Sequence, residues 1–124
     1  MNDDRRRLDD IVAATGDAAL IVQRGRAAFD ADPLVVRAAK NIVTEIGEAT
    51  KALSSDTTDA IADVPWRAIA GMRDRTIHRY PEVDLDVLWD TMEHDLPHLE
   101  QQIRQHLDDT TPEDADRSDR SRRP

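Results

Sequence analysis

PLVVRAAKNIVTEIGEATKAL, residues 33–53, is the stretch whose period decides the fold. Leu34, Val35, Ala38, Ile42, Ile46, Ala49 and Leu53 recur at threes and fours, the spacing of one helical face rather than the alternation of a strand. Pro33 suits the first helical turn, where its missing N–H is no loss. Gly47, inside EIGEA, costs about 1 kcal/mol relative to alanine in a helix interior, and is read as a place where a second helix comes close.

The same period continues on both sides. Upstream, Leu8, Ile11, Val12, Thr15, Ala18, Ala19 and Val22 form one stripe of a helix from about Asp4 to Phe29, weakened slightly by Gly16 and Gly25 and ended by DADP at 30–33. The run Arg5-Arg6-Arg7 lies among Asp3, Asp4, Asp9 and Asp10, which fits surface ion pairing better than a nucleic-acid patch. Downstream, Ser54 to Asp63 is polar and reads as a connecting loop. VPW then restarts a helix with Trp66, Ile69, Ala70, Met72 and Ile77, stopped by Pro81 because the residue before a proline leaves helical geometry.

A fourth helix starts at Asp84, its expected N-cap, and carries Leu85, Leu88, Trp89, Met92, Leu96, Leu99, Ile103 and Leu107. Pro97 interrupts this face without changing its phase, which predicts a kink or short break. Beyond Leu107 the apolar period ends, and a disordered tail is expected. The fold class is therefore all-α, an antiparallel bundle of four to five helices over residues 1–107 with a tail over 108–124.

Composition narrows the function. Only four residues of 124 are aromatic, Phe29, Trp66, Tyr80 and Trp89, which favours helix over sheet. There is no cysteine, so neither a disulfide framework nor a thiolate metal site is available. The absence of an apolar leader or a long apolar run leads us to expect a soluble, cytoplasmic protein with no membrane segment. A net charge of −9 argues against a surface coated for nucleic acid. Locally the balance reverses: between Val64 and Pro81, Arg67, Arg73, Arg75 and Arg79 stand against Asp74 alone.

That basic cluster includes RDRTIHRY, residues 73–80. One reading is a solvated helix end whose cations suit the helix dipole, with Tyr80 half-buried before the proline. The other is a site for RNA cleavage without metal. An imidazole such as that of His78 is suited by its intrinsic pKa to take a ribose 2′-OH proton, and Arg73 can hold phosphate oxygens bidentately. Tyr80 offers a ring to stack on a base, and Arg67, Arg75 and Arg79 a field for the backbone. On one ideal helix Arg73 and His78 diverge by about 140°. Either the helix loosens before His78, or a homodimer lines one groove with the motif of each subunit.

Other constellations are weaker. His94 and His98 have an i, i+4 spacing that suits a metal, but no third ligand is evident and Pro97 lies between them. With glycine only at 16, 25, 47 and 71, no phosphate-binding loop is present.

The stretch Arg73 to Tyr80 resembles the Arg-x4-His-x-Tyr motif of HepT-like HEPN ribonucleases. EIGEATKAL upstream, VPWRAIAGMR leading in and VDLDVLWDTMEHDLPHLEQQI behind resemble that family too, so the likeness spans about Leu8 to Leu107. The resemblance implies an all-helical homodimer with the motif in a cleft between subunits, acting on RNA without metal or other cofactor. It also implies a toxin of a toxin–antitoxin pair. The antitoxin would be a minimal nucleotidyltransferase that uses ATP to place AMP on the motif tyrosine. Carried onto this chain, Arg73 and His78 are catalytic and Tyr80 is the modification site. Asp74 stands where the family often has Asn, and is read as a tolerated variant. The alternative is a non-catalytic helical module that partners a nucleotidyltransferase and positions its nucleotide.

Overall fold

The computed structural model describes residues 2–77 and 84–110, with the side chains of 3–72 and 84–110. Seven α-helices and one π-helical turn make up this part of the chain: α1 (Asn2–Gln23), α2 (Arg26–Ala31), α3 (Pro33–Ala52), α4 (Ser55–Ala60), α5 (Trp66–Ile77), α6 (Leu85–Asp90), the π turn (Thr91–Asp95) and α7 (Leu96–Asp109). No strand occurs among the described residues. Four rods carry the fold, namely α1, α3, α5 and the continuous α6–π–α7 element.

Long-range bonds give their directions. Asp4 at the start of α1 accepts from Ser54 just past α3, so α1 and α3 run antiparallel. Arg5 donates to the Thr110 carbonyl and Thr15 Oγ1 donates to Glu100, at 2.9 Å, so α7 also runs against α1. The Trp66 indole reaches back to α4, so α5 returns along α3. The result is the all-α antiparallel bundle that periodicity predicts, with α2 and α4 as short connectors.

α3 packs against both α1 and α5, and α1 against both α3 and the π–α7 rod, so these two form the middle of the bundle. Asp32 caps it, accepting from Leu34 N at 2.9 Å, with Pro33 in the first turn. Its buried band is Ala39, Ile42, Val43, Ile46, Gly47 and Thr50. Two neighbours demand a wide band, which shifts its centre away from the predicted stripe: Leu34 is 72% exposed, and Ala38 also faces out. Gly47 lies inside the band. On α1 the core face is Leu8, Ile11, Ala14, Ala18 and Ile21, while Ala19 faces solvent.

The predicted single helix from Asp4 to Phe29 is in fact two. Gly25 adopts φ of +90°, which breaks the hydrogen-bond ladder and turns the chain into α2. This turn drives Phe29 into the core, where its ring lies 5.4 Å from that of Trp89. Arg26 clamps the corner from outside, bonding Asp30 at 2.8 Å and Asp86 at 2.7 Å. These hydrogen bonds, Asp30 first and Asp86 second, raise the guanidinium above its ordinary pKa.

The stretch expected as a loop contains α4. Ser54 caps it, its Oγ accepting from Thr57 N. The Asp4 carboxylate ties this cap to α1, accepting from the Ser54 backbone N–H, the Ser54 hydroxyl and the Thr57 hydroxyl.

Pro97 has the predicted effect in an unpredicted form. Having no N–H, it cannot fill its place in the α-ladder. The chain inserts a π turn just before it, in which Leu96 N–H bonds the Thr91 carbonyl five residues back. The rod continues into α7, which ends at Asp109 rather than Leu107. The predicted stop at Pro81, and residues 111–124 of the expected tail, lie outside the described residues. Among the described residues, no helix is long and apolar enough to cross a membrane.

Candidate functional site

α5 carries the basic cluster, and its first residue fixes it in place. Trp66 Nε1 donates to the Thr58 carbonyl at 3.1 Å and the Ile61 carbonyl at 3.0 Å, a second donor to each beside the backbone N–H groups of Ile61 and Val64. Ile69 and Met72, three apart, are buried on the inner face of α5. This anchoring sets the helical register of the positions that follow.

The candidate residues then divide. Arg67 is exposed in the first turn of α5. Arg73, Asp74 and Arg75 stand on the α5 backbone, directly after Met72. His78, Arg79 and Tyr80 lie outside the described residues.

One flank of α5 borders a groove of about 310 Å³. Ala68, Ile69 and Met72 form its wall on the α5 side, and His94, Asp95, His98 and Leu99 face them from the π turn and α7. Because α5 and α7 run antiparallel, the Met72 end of the groove is also its His94–Asp95 end. The position that follows Met72 is Arg73, so the groove leads to where the motif begins.

The polar groups of this groove differ in their occupation. His94 Nδ1 is 2.9 Å from Asp90 Oδ1, one turn back. The other ring nitrogen, Nε2, lies 3.6 Å from Glu93 Oε1, so both nitrogens of this ring face carboxylates of its own rod. Asp95 precedes α7 where an aspartate commonly caps a helix, yet its carboxylate makes no capping bond, because the rod passes through it in helical geometry. Neither Asp95 nor His98 has a side-chain hydrogen bond or ion pair among the described residues. The pair His94 and His98, weighed above as metal ligands, gains no third: among the described residues no three His, Asp or Glu side chains converge on an ion.

Sequence reasoning weighed His98 only as a metal ligand beside His94 and gave Asp95 no part in a site. The available signal was D-L-P at 95–97, an acidic residue at a point where proline forces the helix out of regular geometry.

Comparison with known proteins follows the same lines. A family model described as Ribonuclease HepT-like matches residues 8–106, from the first core leucine of α1 to the last turn of α7. A "Putative RNase" of Caldanaerobacter subterraneus subsp. tengcongensis is 39% identical over 79 residues, which cover 64% of this chain and 70% of that protein. A "Probable ribonuclease HepT" of Thermococcus cleftensis is 46% identical over 54 residues, 44% of this chain and 49% of that one. A "Putative RNase" of Methanocaldococcus jannaschii is 33% identical over 64 residues, 52% of this chain and 55% of its own length. The chain thus spans about half the length of the second and third of these relatives. No solved structure matches it significantly. With its all-helical bundle and a family match over nearly its whole described length, the chain belongs to the HepT-like family of ribonucleases.

Proposed function

We propose that this chain is a metal-independent endoribonuclease toxin of a toxin–antitoxin pair, acting through Arg73 and His78 in a homodimer cleft. The observation that carries this reading is the intact Arg73-x4-His78-x-Tyr80 spacing in a chain of a ribonuclease family. His78 takes the proton of a ribose 2′-OH, and the 2′-oxygen bonds to the adjacent phosphorus while the bond to the 5′-oxygen breaks, that oxygen taking a proton from water to leave as the 5′-OH. Arg73 holds the non-bridging oxygens as the pentacovalent phosphate gathers charge. A second chain supplies the other half of the groove, since five residues along one regular helix separate the two groups around its axis.

Tyr80 is the switch in this reading. A minimal nucleotidyltransferase antitoxin transfers AMP from ATP to the phenolic oxygen, and pyrophosphate leaves. The phosphate so attached competes with RNA phosphates for the arginines at 67, 73, 75 and 79.

The test is induced expression followed by sequencing of cellular RNA ends. Growth arrest with new RNA ends, both lost in Arg73→Ala and His78→Ala while the proteins remain folded and dimeric, is the expected result. Arrest that persists in both variants would refute the enzymatic reading.

A further inference from the structure

We infer that the groove between α5 and the π–α7 junction is a base-reading subsite for a guanine of the RNA strand, with Asp95 as its reading residue. The inference rests on the ribonuclease reading only for its choice of RNA as the source of the base.

Three observations lead there. The volume of about 310 Å³ is in the range of small-molecule sites, and it opens along the motif helix. Its walls are mixed in a way that matches a nucleobase. Ile69, Met72 and Leu99 give an apolar surface for a ring face, and Asp95 with the two histidines gives polar groups at the rim. Finally, Asp95 does no structural work: it neither caps α7 nor bonds another side chain among the described residues. Its carboxylate has both oxygens available.

The chemistry of a free carboxylate selects among the bases. Guanine presents two neighbouring N–H donors on its Watson–Crick edge, at N1 and N2, and a carboxylate accepts both at once. Adenine and cytosine present a donor beside an acceptor there, and uracil a single N–H between two carbonyls. Each would leave a lone pair of the base facing a carboxylate oxygen or an Asp95 oxygen without a donor. The ring faces are alike for all four bases, so the apolar wall holds and Asp95 chooses.

Position ties the subsite to the motif. The Asp95 end of the groove is the Met72 end, and α5 continues from Met72 into Arg73. A base held there sets which phosphate of the strand lies at the motif.

The experiment measures binding of the full chain to 2′-O-methylated hexauridylates, which cannot be cleaved, carrying one central G, A, C or U. Fluorescence anisotropy should give the G-containing strand about tenfold tighter binding, the scale of a good bidentate contact. Asp95→Asn should abolish this preference and leave the other three strands unchanged. Ala68→Phe, which fills the groove from an exposed position, should weaken all four while circular dichroism shows a folded helical protein. Equal affinity for the four strands overturns the proposal, as does a G preference that survives Asp95→Asn. Binding of free GMP as tight as that of the strand overturns it in favour of a nucleotide site. Dissociation of a dimer by Ala68→Phe overturns it in favour of a subunit seam. Cleavage assays keep the two readings apart: loss of G preference with cleavage retained removes only the subsite. G-selective binding without any cleavage removes only the enzyme.

Discussion

The Asp4 carboxylate accepts two hydrogen bonds from Ser54 and so fastens the first turn of α1 to the cap of α4, fifty residues away in sequence. With the Thr57 hydroxyl added at 2.7 Å, this nearly buried acid is surrounded by donors. They hold its pKa at about 2, below the ordinary 3.8, the side-chain bonds of Ser54 and Thr57 outweighing the cost of burial. A depressed acid stabilises the fold above its unfolded pKa. The contribution is therefore whole at neutral pH and lost as pH falls from about 4 to about 2. Urea midpoints measured across that window should fall more steeply for the native chain than for Asp4→Asn. At pH 7 the variant should be less stable by about 1 kcal/mol.

Two glycines give opposite predictions. Gly25 sits at φ of +90° and Gly16 within regular α1, and a Cβ at either would meet nothing within 4 Å beyond its chain neighbours and its own helix backbone. Space is therefore equal, and only the backbone differs. Gly25→Ala forces an L-residue to φ 90°, ψ 160°, a region nearly reserved for glycine, and should cost about 1–3 kcal/mol. Gly16→Ala should gain about 0.5–1 kcal/mol by removing unfolded-state freedom. Thermal unfolding of the two single variants, moving to either side of the parent, checks the break between α1 and α2.

That break shows what a single window of sequence conveys. The four rods and most of their inward residues follow from apolar spacing, because burial of one face leaves a periodic trace. Gly25 is different: its left-handed φ belongs to a turn that places Phe29 against Trp89, a contact far along the chain. α4 leaves no apolar period for another reason. It buries none of its own side chains, so its polar composition looks like a loop, and it is held by Ser54, Thr57 and Asp4 instead. Pro97 announced an irregularity without announcing its kind. The basic cluster of the motif is local and visible at once, whereas the groove is assembled from residues 64–72 and 94–99 and has no signature in either alone.

Thr50 offers a test of the packing on α3. Its hydroxyl oxygen is buried without a hydrogen-bond partner among the described residues. Desolvating a hydroxyl without compensation is unfavourable, and valine keeps the branched shape while removing the polar atom. Thr50→Val should raise stability by about 1 kcal/mol, read as a higher urea midpoint with an unchanged slope.

Charge and geometry at Arg73 are separable. Lysine keeps the cation and loses the planar fork that grips two phosphate oxygens. In the proposed mechanism Arg73→Lys should therefore lose most of the cleavage that Arg73→Ala loses, while retaining more RNA affinity. His78→Ala should slow single-turnover cleavage by about 10²–10⁴-fold, the range of a general base, with RNA binding little changed. A lysine variant that cleaves at the native rate would show that Arg73 contributes only field.

Tyr80→Phe separates the switch from the chemistry. The phenolic oxygen is the proposed acceptor of AMP and has no part in breaking the phosphodiester, so the variant should cleave RNA as the native chain does. Co-expressed with its nucleotidyltransferase, the native chain should gain adenylyl mass on the peptide containing Tyr80 and stop cleaving. The phenylalanine variant should gain none and stay active beside the same antitoxin. Neutralisation of Tyr80→Phe by an antitoxin that leaves no mass on it would mean that binding, not modification, closes the groove. The arginines would then be covered by protein rather than by phosphate, and inhibition would weaken with dilution of the complex. A covalently modified chain stays silent at any concentration, so dilution of the purified complex followed by an activity assay decides between them.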